Sequence, residues 1–215
     1  DKYGMPYERS ESAYLGYWIL RDSMEEIRAF IAIELPDEVI QELGRLESRL
    51  KLRQPDGVKW VDPAAIHLTL NFLGDIDPGR ISEITEAMME SVHGIVPFSL
   101  GLNELGVFPN LNRVRVVWVG ISGEVEKLVR LQHSLEVNLD IIGFPPEERT
   151  FSPHLTLGRV REQASPQERQ RLGDIVAAMK VETVEPFTVN GISLIKSRLT
   201  GAGPVYSRIV AVNLK

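Results

Sequence analysis

The tetrapeptide His-Leu-Thr-Leu occurs twice in this chain, at 67–70 and 154–157, and that repetition constrains the fold more than any other feature. Each copy reads as a strand, over 66–70 and 153–157, because polar and apolar residues alternate with a period of two. Residues i and i+2 of a strand share a face, so His67 and Thr69 point one way while Leu68 and Leu70 point the other. The leucines seat the strand on a core, and an imidazole and a hydroxyl are presented together on the opposite side. His154 and Thr156 repeat the arrangement.

The two copies lie 87 residues apart, and the same 87 separate Arg28, opening the apolar run 28–33, from Arg115, opening 115–119. A helix-like segment follows each copy, then Pro-Phe and another strand, at 97–100 and 186–189, an offset of 89. Landmarks in one order at nearly one spacing point to an internal duplication. Duplicated units pack about an approximate two-fold axis, which brings His67 and His154 to face each other across a cleft.

Around these strands the pattern predicts a first strand to 35, ended by Pro36, and helices starting at Asp37, Asp77-Pro78, Ser122 and Ser165-Pro166. Strands at 97–108 and 113–120 read as a hairpin through Pro109-Asn110. A strand over about 184–196, a polar Gly-rich loop over 197–203 that closes on a ligand, and a strand over 204–213 complete the chain. The expected class is α+β: two pseudo-symmetric strand/helix lobes, their sheets lining a central groove and their helices outside. Residues 1–23 have no counterpart in the repeat and are expected to be an N-terminal extension or cloning remnant, leaving 24–215 as one bilobal domain.

The chain has no cysteine, which removes disulfides, thiolate metal sites and Cys nucleophiles and suits a reducing cytoplasm. No apolar run approaches the roughly 20 residues that span a bilayer, and the stretch 14–20 is too short, so no membrane partner is expected. A net charge of −6 argues against a broad footprint on nucleic acid, while leaving room for a small anion in a local basic cleft. A monomer is expected.

Imidazole exchanges a proton near neutrality, at an unperturbed pKa of about 6.5. Two imidazoles on opposite sides of a substrate suit a displacement in which a nucleophile loses a proton as a leaving group gains one. In-line displacement at phosphorus has that geometry. Thr69 and Thr156 would then donate to the non-bridging oxygens. A metal site is the poorer reading, because only four His exist, His93 and His133 fall in helical segments, and two His lacking a carboxylate set hold zinc badly. Neither metal nor cofactor is expected, and no Gly-x-Ser-x-Gly supports a serine nucleophile. The plain alternative is that each ring is structural, bonded to a backbone carbonyl.

The segment 58–63, VKWVDP, running into 66–74, IHLTLNFLG, resembles the first signature of the two-histidine phosphoesterase superfamily, and 151–160, FSPHLTLGRV, the second. The runs 28–35 and 115–120 are similar to its RNA 2′,3′-cyclic phosphodiesterases, first named 2′-5′ RNA ligases, and the resemblance covers about 25–213. It implies both His in a central groove, no metal, and opening of a 2′,3′-cyclic phosphate to a 2′-phosphomonoester, on RNA 3′ ends or small cyclic nucleotides. His67 would be the proton donor and His154 the acceptor, although pseudo-symmetry makes the roles interchangeable from the sequence alone.

By the same resemblance Arg159 is the phosphate-contacting cation. Its odd parity from His154 points it away unless Gly158 permits a bulge; otherwise it is a surface cation. Phe72, at the matching place in the first copy, either stacks on a base or packs in the core. Tyr206 is equally open, Trp118 reads as core, and Arg198 is placed near the phosphate. Rival functions are 2′-5′ ligation, cleavage of a 2′-5′ linkage, and a non-catalytic module that binds RNA ends.

Overall fold

The computed structural model describes residues 25–215, apart from 54–55, 183–184 and 202. The proposed extension 1–23 lies outside the described residues, as does the start of the strand expected near 184. In chain order the elements are β1 Ile27–Ile33, α1 Asp37–Arg53, β2 Val58–Trp60, β3 Leu68–Ile76, α2 Ile81–Ser91, β4 Phe98–Phe108 and β5 Val116–Gly123. Then come α3 Val125–Ile141, β6 His154–Val160, α4 Pro166–Ala178, β7 Phe187–Val189, β8 Gly191–Thr200 and β9 Gly203–Asn213. The class is α+β, as expected.

All pairings are antiparallel, in a four-stranded sheet ordered β3-β1-β8-β9 and a five-stranded sheet ordered β2-β6-β5-β4-β7. This order interlocks the repeats. β8, from the second half, pairs with β1 of the first, and β4, from the first half, pairs with β5 of the second. The two Pro-Phe segments meet where Phe98 faces Val189 and Leu100 faces Phe187, as segments straddling a two-fold axis must.

One face of each sheet carries the main core. Val39, Leu43, Leu46 and Leu50 of α1 recur every three or four residues and are buried, as are Leu128, Leu131, Leu135 and Leu139 of α3. β1 is apolar on both faces because Phe30 and Ala32 on its other face pack with Ile195 and Tyr206 in a small separate cluster.

The registers of the two histidine strands match. Ala32 faces Thr69 and then Ile31 faces Asn71; Trp118 faces Thr156 and then Val117 faces Gly158. Both strands therefore carry one extra residue immediately after the threonine, a β-bulge that reverses the facing of the residues that follow, until in β3 a second shift between Phe72 and Gly74 reverses it again. The two copies thus share an irregularity at equivalent places.

Four local expectations are corrected. The strand over 184–196 is two strands, β7 and β8, that part at Asn190 into different sheets. The loop 197–203 is instead the end of the β8–β9 hairpin, paired continuously from Ser197–Tyr206 to Thr200–Gly203, with Thr200 Oγ1 donating to the Gly203 carbonyl at 2.6 Å. Its polar residues are those of a hairpin tip extending past the core. Ser122 caps no helix: it lies in β5 and its hydroxyl donates to the Leu102 carbonyl at 3.1 Å. Asp77 caps a short 3-10 turn, Pro78–Arg80, and α2 begins only afterwards. Ser165 does cap α4, in a reciprocal box with Glu168.

No helix among the described residues is long and apolar enough to cross a membrane. Phe98 lies 2% exposed where the repeats meet, so Phe98→Ala is expected to cost about 3–5 kcal/mol, read as a lowered midpoint in urea unfolding.

Candidate active site

His67 immediately precedes β3, and His154 is the first residue of β6. In each ring Nδ1 donates to the carbonyl two residues back, Ala65 at 2.9 Å and Ser152 at 2.7 Å. A carbonyl oxygen can only accept, so Nδ1 keeps its proton in either charge state and Nε2 is the nitrogen that exchanges. The Ala65 carbonyl is itself fixed by the 3-10 turn Pro63–Ala65, which Asp62 caps by accepting from the Ala64 amide at 3.0 Å. Among the described residues neither Nε2 has a hydrogen-bond partner. The structural role and the reactive one thus fall on different nitrogens of the same ring. Thr69 and Thr156 share the histidines' faces, are half-buried, and spend no hydroxyl hydrogen bond on a described residue.

The surroundings of the rings are aromatic and unequal. His67 stacks on Phe30, with centroids 4.4 Å apart and planes at 25°, and meets Tyr206 edge-on at 5.0 Å. Phe108 meets His154 edge-on at 5.1 Å, and Trp118 lies 6.2 Å from it. Trp118 is therefore half-buried groove wall, not core. It lies flat on Gly106, where an added Cβ would come within 2.2 Å of its ring.

The two bulges place the remaining candidates. Phe72 faces Phe30 across the ladder, on the groove side, with its ring 6.1 Å away and 61% of its surface exposed; it is not core. Arg159 faces Val116, two residues along β5 from Trp118 and on the same side. It is turned into the groove, and its charge is felt at Tyr206 of the other sheet. β3 and β6 come within 8 Å between Cα atoms, so the histidine strands adjoin. Arg198 is not brought to this place. Ser197 takes the face shared with Tyr206, and Arg198, one residue on, lines a separate recess of about 740 Å³ with Glu25, Glu26 and Lys196.

Sequence reasoning missed Glu34. Its Oε2 accepts from Arg208 Nη1 at 2.9 Å and from Ser193 Oγ at 3.0 Å, and its charge acts on His67. The signal was present: Glu34 continues the face of Phe30 and Ala32 by alternation, one step beyond the Ile33–Leu68 pair. Burial holds the His67 pKa below the ordinary imidazole value, opposed by the Ala65 carbonyl and by Glu34. Burial likewise pushes the Tyr206 hydroxyl up, with Arg159 opposing. The site offers two imidazoles, each with one free nitrogen, two free hydroxyls and one cation, an inventory suited to moving protons around a bound anion.

A family model described as LigT like phosphoesterase matches residues 33–118 and 119–206, one match per repeat. A protein of Methanothermobacter thermautotrophicus named RNA 2′,3′-cyclic phosphodiesterase is 35% identical over 182 residues, 85% of this chain and 96% of that protein. One of the same name from Aquifex aeolicus is 30% identical over 185 residues, 86% and 95% of the two chains. Among solved structures, a Thermus thermophilus protein superposes with a TM-score of 0.70 at 28% identity, covering 87% of this chain and 98% of that one. E. coli LigT complexed with 3′-AMP superposes at 0.69 and 23% identity, covering 88% and 99%, a likeness of fold.

The burial of His67 has a measurable consequence. Its folded-state pKa lies below the unfolded one, so the unfolded chain binds the extra proton between the two values. Its contribution to stability is complete above the ordinary value of about 6.5 and is lost as pH falls toward the folded value. Ring titration by NMR is expected to place His67 below that ordinary value, and Tyr206→Ala, which admits water, to move it upward. An unmoved titration in the variant would remove burial as the cause.

Proposed function

The chain belongs to the LigT-like phosphoesterase family, and from that premise we propose that it hydrolyses 2′,3′-cyclic phosphates at RNA or nucleotide ends to 2′-phosphomonoesters, without a metal, by paired histidine acid and base catalysis. A water molecule attacks phosphorus opposite the 3′ oxygen. His154 Nε2 accepts the water's proton, and His67 Nε2 gives its own to the departing 3′ oxygen. The P–O3′ bond breaks as the new P–O bond forms, and the two rings exchange protonation states overall. Thr69, Thr156 and Arg159 bind the non-bridging oxygens, where negative charge accumulates. Phe72 and Tyr206 offer aromatic surface to the base of the terminal nucleotide.

The observation that carries this reading is the matched pinning of both Nδ1 atoms on two adjoining strands, which leaves two Nε2 atoms and two threonine hydroxyls without a partner among the described residues. The relatives' shared name supplies the substrate class. Among the described residues no three His, Asp or Glu side chains gather in a way that could hold a metal ion.

The lowered pKa of His67 favours a neutral ring in the free protein, as a base requires and an acid does not. An anionic phosphate bound beside the ring acts in the opposite direction, drawing a proton onto it. A second reading with the roles exchanged therefore remains on the same site, and in one substrate orientation it breaks the bond to the 2′ oxygen and leaves a 3′-phosphate.

Incubation with an RNA ending in a 2′,3′-cyclic phosphate, with EDTA present, is expected to yield the 2′-phosphomonoester. His67→Ala and His154→Ala are each expected to lose roughly 10²- to 10⁴-fold in kcat with unchanged circular dichroism. A 3′-phosphate product would reverse the assignment, and dependence on added metal would defeat the mechanism.

A further inference from the structure

Lys59 of β2 and Arg159 of β6 stand directly opposite each other. Such partners have Cβ atoms about 5 Å apart, and like charges at that separation are destabilising. The neighbouring pair, Val58 and Val160, packs on the core, so alternation turns Lys59 and Arg159 together to the groove side, the side that Arg159 shares with Val116 and Trp118. Both are exposed. Among the described residues neither joins an ion pair. A chain with 30 acidic residues against 24 basic ones has ample carboxylates to neutralise such a pair. Folding gives no reason to leave two cations adjacent and unpaired; an anion supplied from outside does.

The reacting phosphoryl group accounts for one of them. Arg159 is coupled to Tyr206, which touches the His67 ring, and so lies toward the histidines. Lys59 stands one strand farther out, on the edge of the second sheet. Successive phosphates of a single strand are one nucleotide apart, a span that two adjacent long side chains can bridge. We infer that Lys59, beside Arg159, forms a second anion subsite that holds the phosphodiester preceding the reacting one, which makes an oligoribonucleotide end the preferred substrate over a mononucleotide. This inference rests on the proposed function for its reacting phosphate.

The test compares an oligoribonucleotide ending in a 2′,3′-cyclic phosphate with the corresponding nucleoside 2′,3′-cyclic phosphate, which lacks the second phosphate. In Lys59→Ala the ratio of kcat/KM for the oligonucleotide to that for the nucleotide is expected to fall on the order of ten-fold, with recovery in Lys59→Arg. General damage to the fold lowers both alike and leaves the ratio unchanged. In parallel, a labelled oligoribonucleotide with a terminal 2′-phosphate is titrated by fluorescence anisotropy over a range of salt. Loss of one phosphate contact is expected to flatten the slope of log affinity against log salt by about 0.7. A wild-type ratio together with a wild-type slope overturns the subsite. If the native protein turns over neither substrate, the proposed hydrolysis fails and the salt slope alone decides the subsite.

Discussion

Both imidazoles are held by a hydrogen bond from Nδ1 to the carbonyl two residues earlier, and the chemistry available to the site depends on that constraint. A carbonyl cannot donate, so the bond selects one tautomer for the neutral ring and directs the other nitrogen away from the backbone. Before His67 the bond closes over the capped 3-10 turn Pro63–Ala65, and before His154 it reaches back to Ser152 over Pro153. Side chains held in this way lose little further freedom on meeting a substrate. The leucines that alternate with them bury the strand's other face, so ring orientation and strand register are fixed together.

The two copies of the motif supply two such rings, and their surroundings are unequal. The bulge after each threonine turns the next exposed position toward the groove, where one copy carries Phe72 and the other Arg159. One lobe therefore offers an aromatic surface and the other a cation at equivalent places. The rings differ in the same sense: His67 lies between Phe30 and Tyr206, where burial disfavours its charge, with Glu34 opposing. A symmetrical substrate would find two equivalent poses in a symmetrical groove. A nucleotide, with a base at one end and a phosphate at the other, meets a groove that is asymmetric in the same way.

The paired motif and the α+β class were legible because they rest on local period and on spacing, and both survive in a single chain. The exchange of β4 and β8 between lobes was not legible, since the pairing partners of a strand depend on long-range closure that alternation does not encode. Gly158 signalled the bulge beside Arg159. No glycine marks the equivalent place in the first copy, where Asn71 stands, and only the ladder reveals that Phe72 turns to the groove. Ser197–Gly203 misled for a different reason. Polar and glycine-rich composition describes a hairpin tip beyond the core as well as it describes a loop. Trp118 misled because a large aromatic side chain usually packs inside, whereas here Gly106 leaves a flat bed for it beside His154. Alternation alone does not give Glu34 and Lys59 their meaning, which comes from what stands across the ladder.

The distribution of charge comes from the same geometry. The chain is acidic overall, and beyond a Debye length of about 8 Å at physiological ionic strength its distant carboxylates are largely screened. What an anion meets close to the groove is local: Arg159 and Lys59 on the second sheet, and the Glu34–Arg208 pair near His67 on the first. Glu34 is neutralised by Arg208, so the first sheet presents little net charge to the phosphate while still favouring a proton on the ring beside it. The second sheet presents two cations, Arg159 and Lys59, that join no ion pair among the described residues. Under the proposed function, attraction draws the phosphate toward Arg159 and leaves the base toward Phe72, an orientation that needs no basic surface elsewhere on an acidic chain.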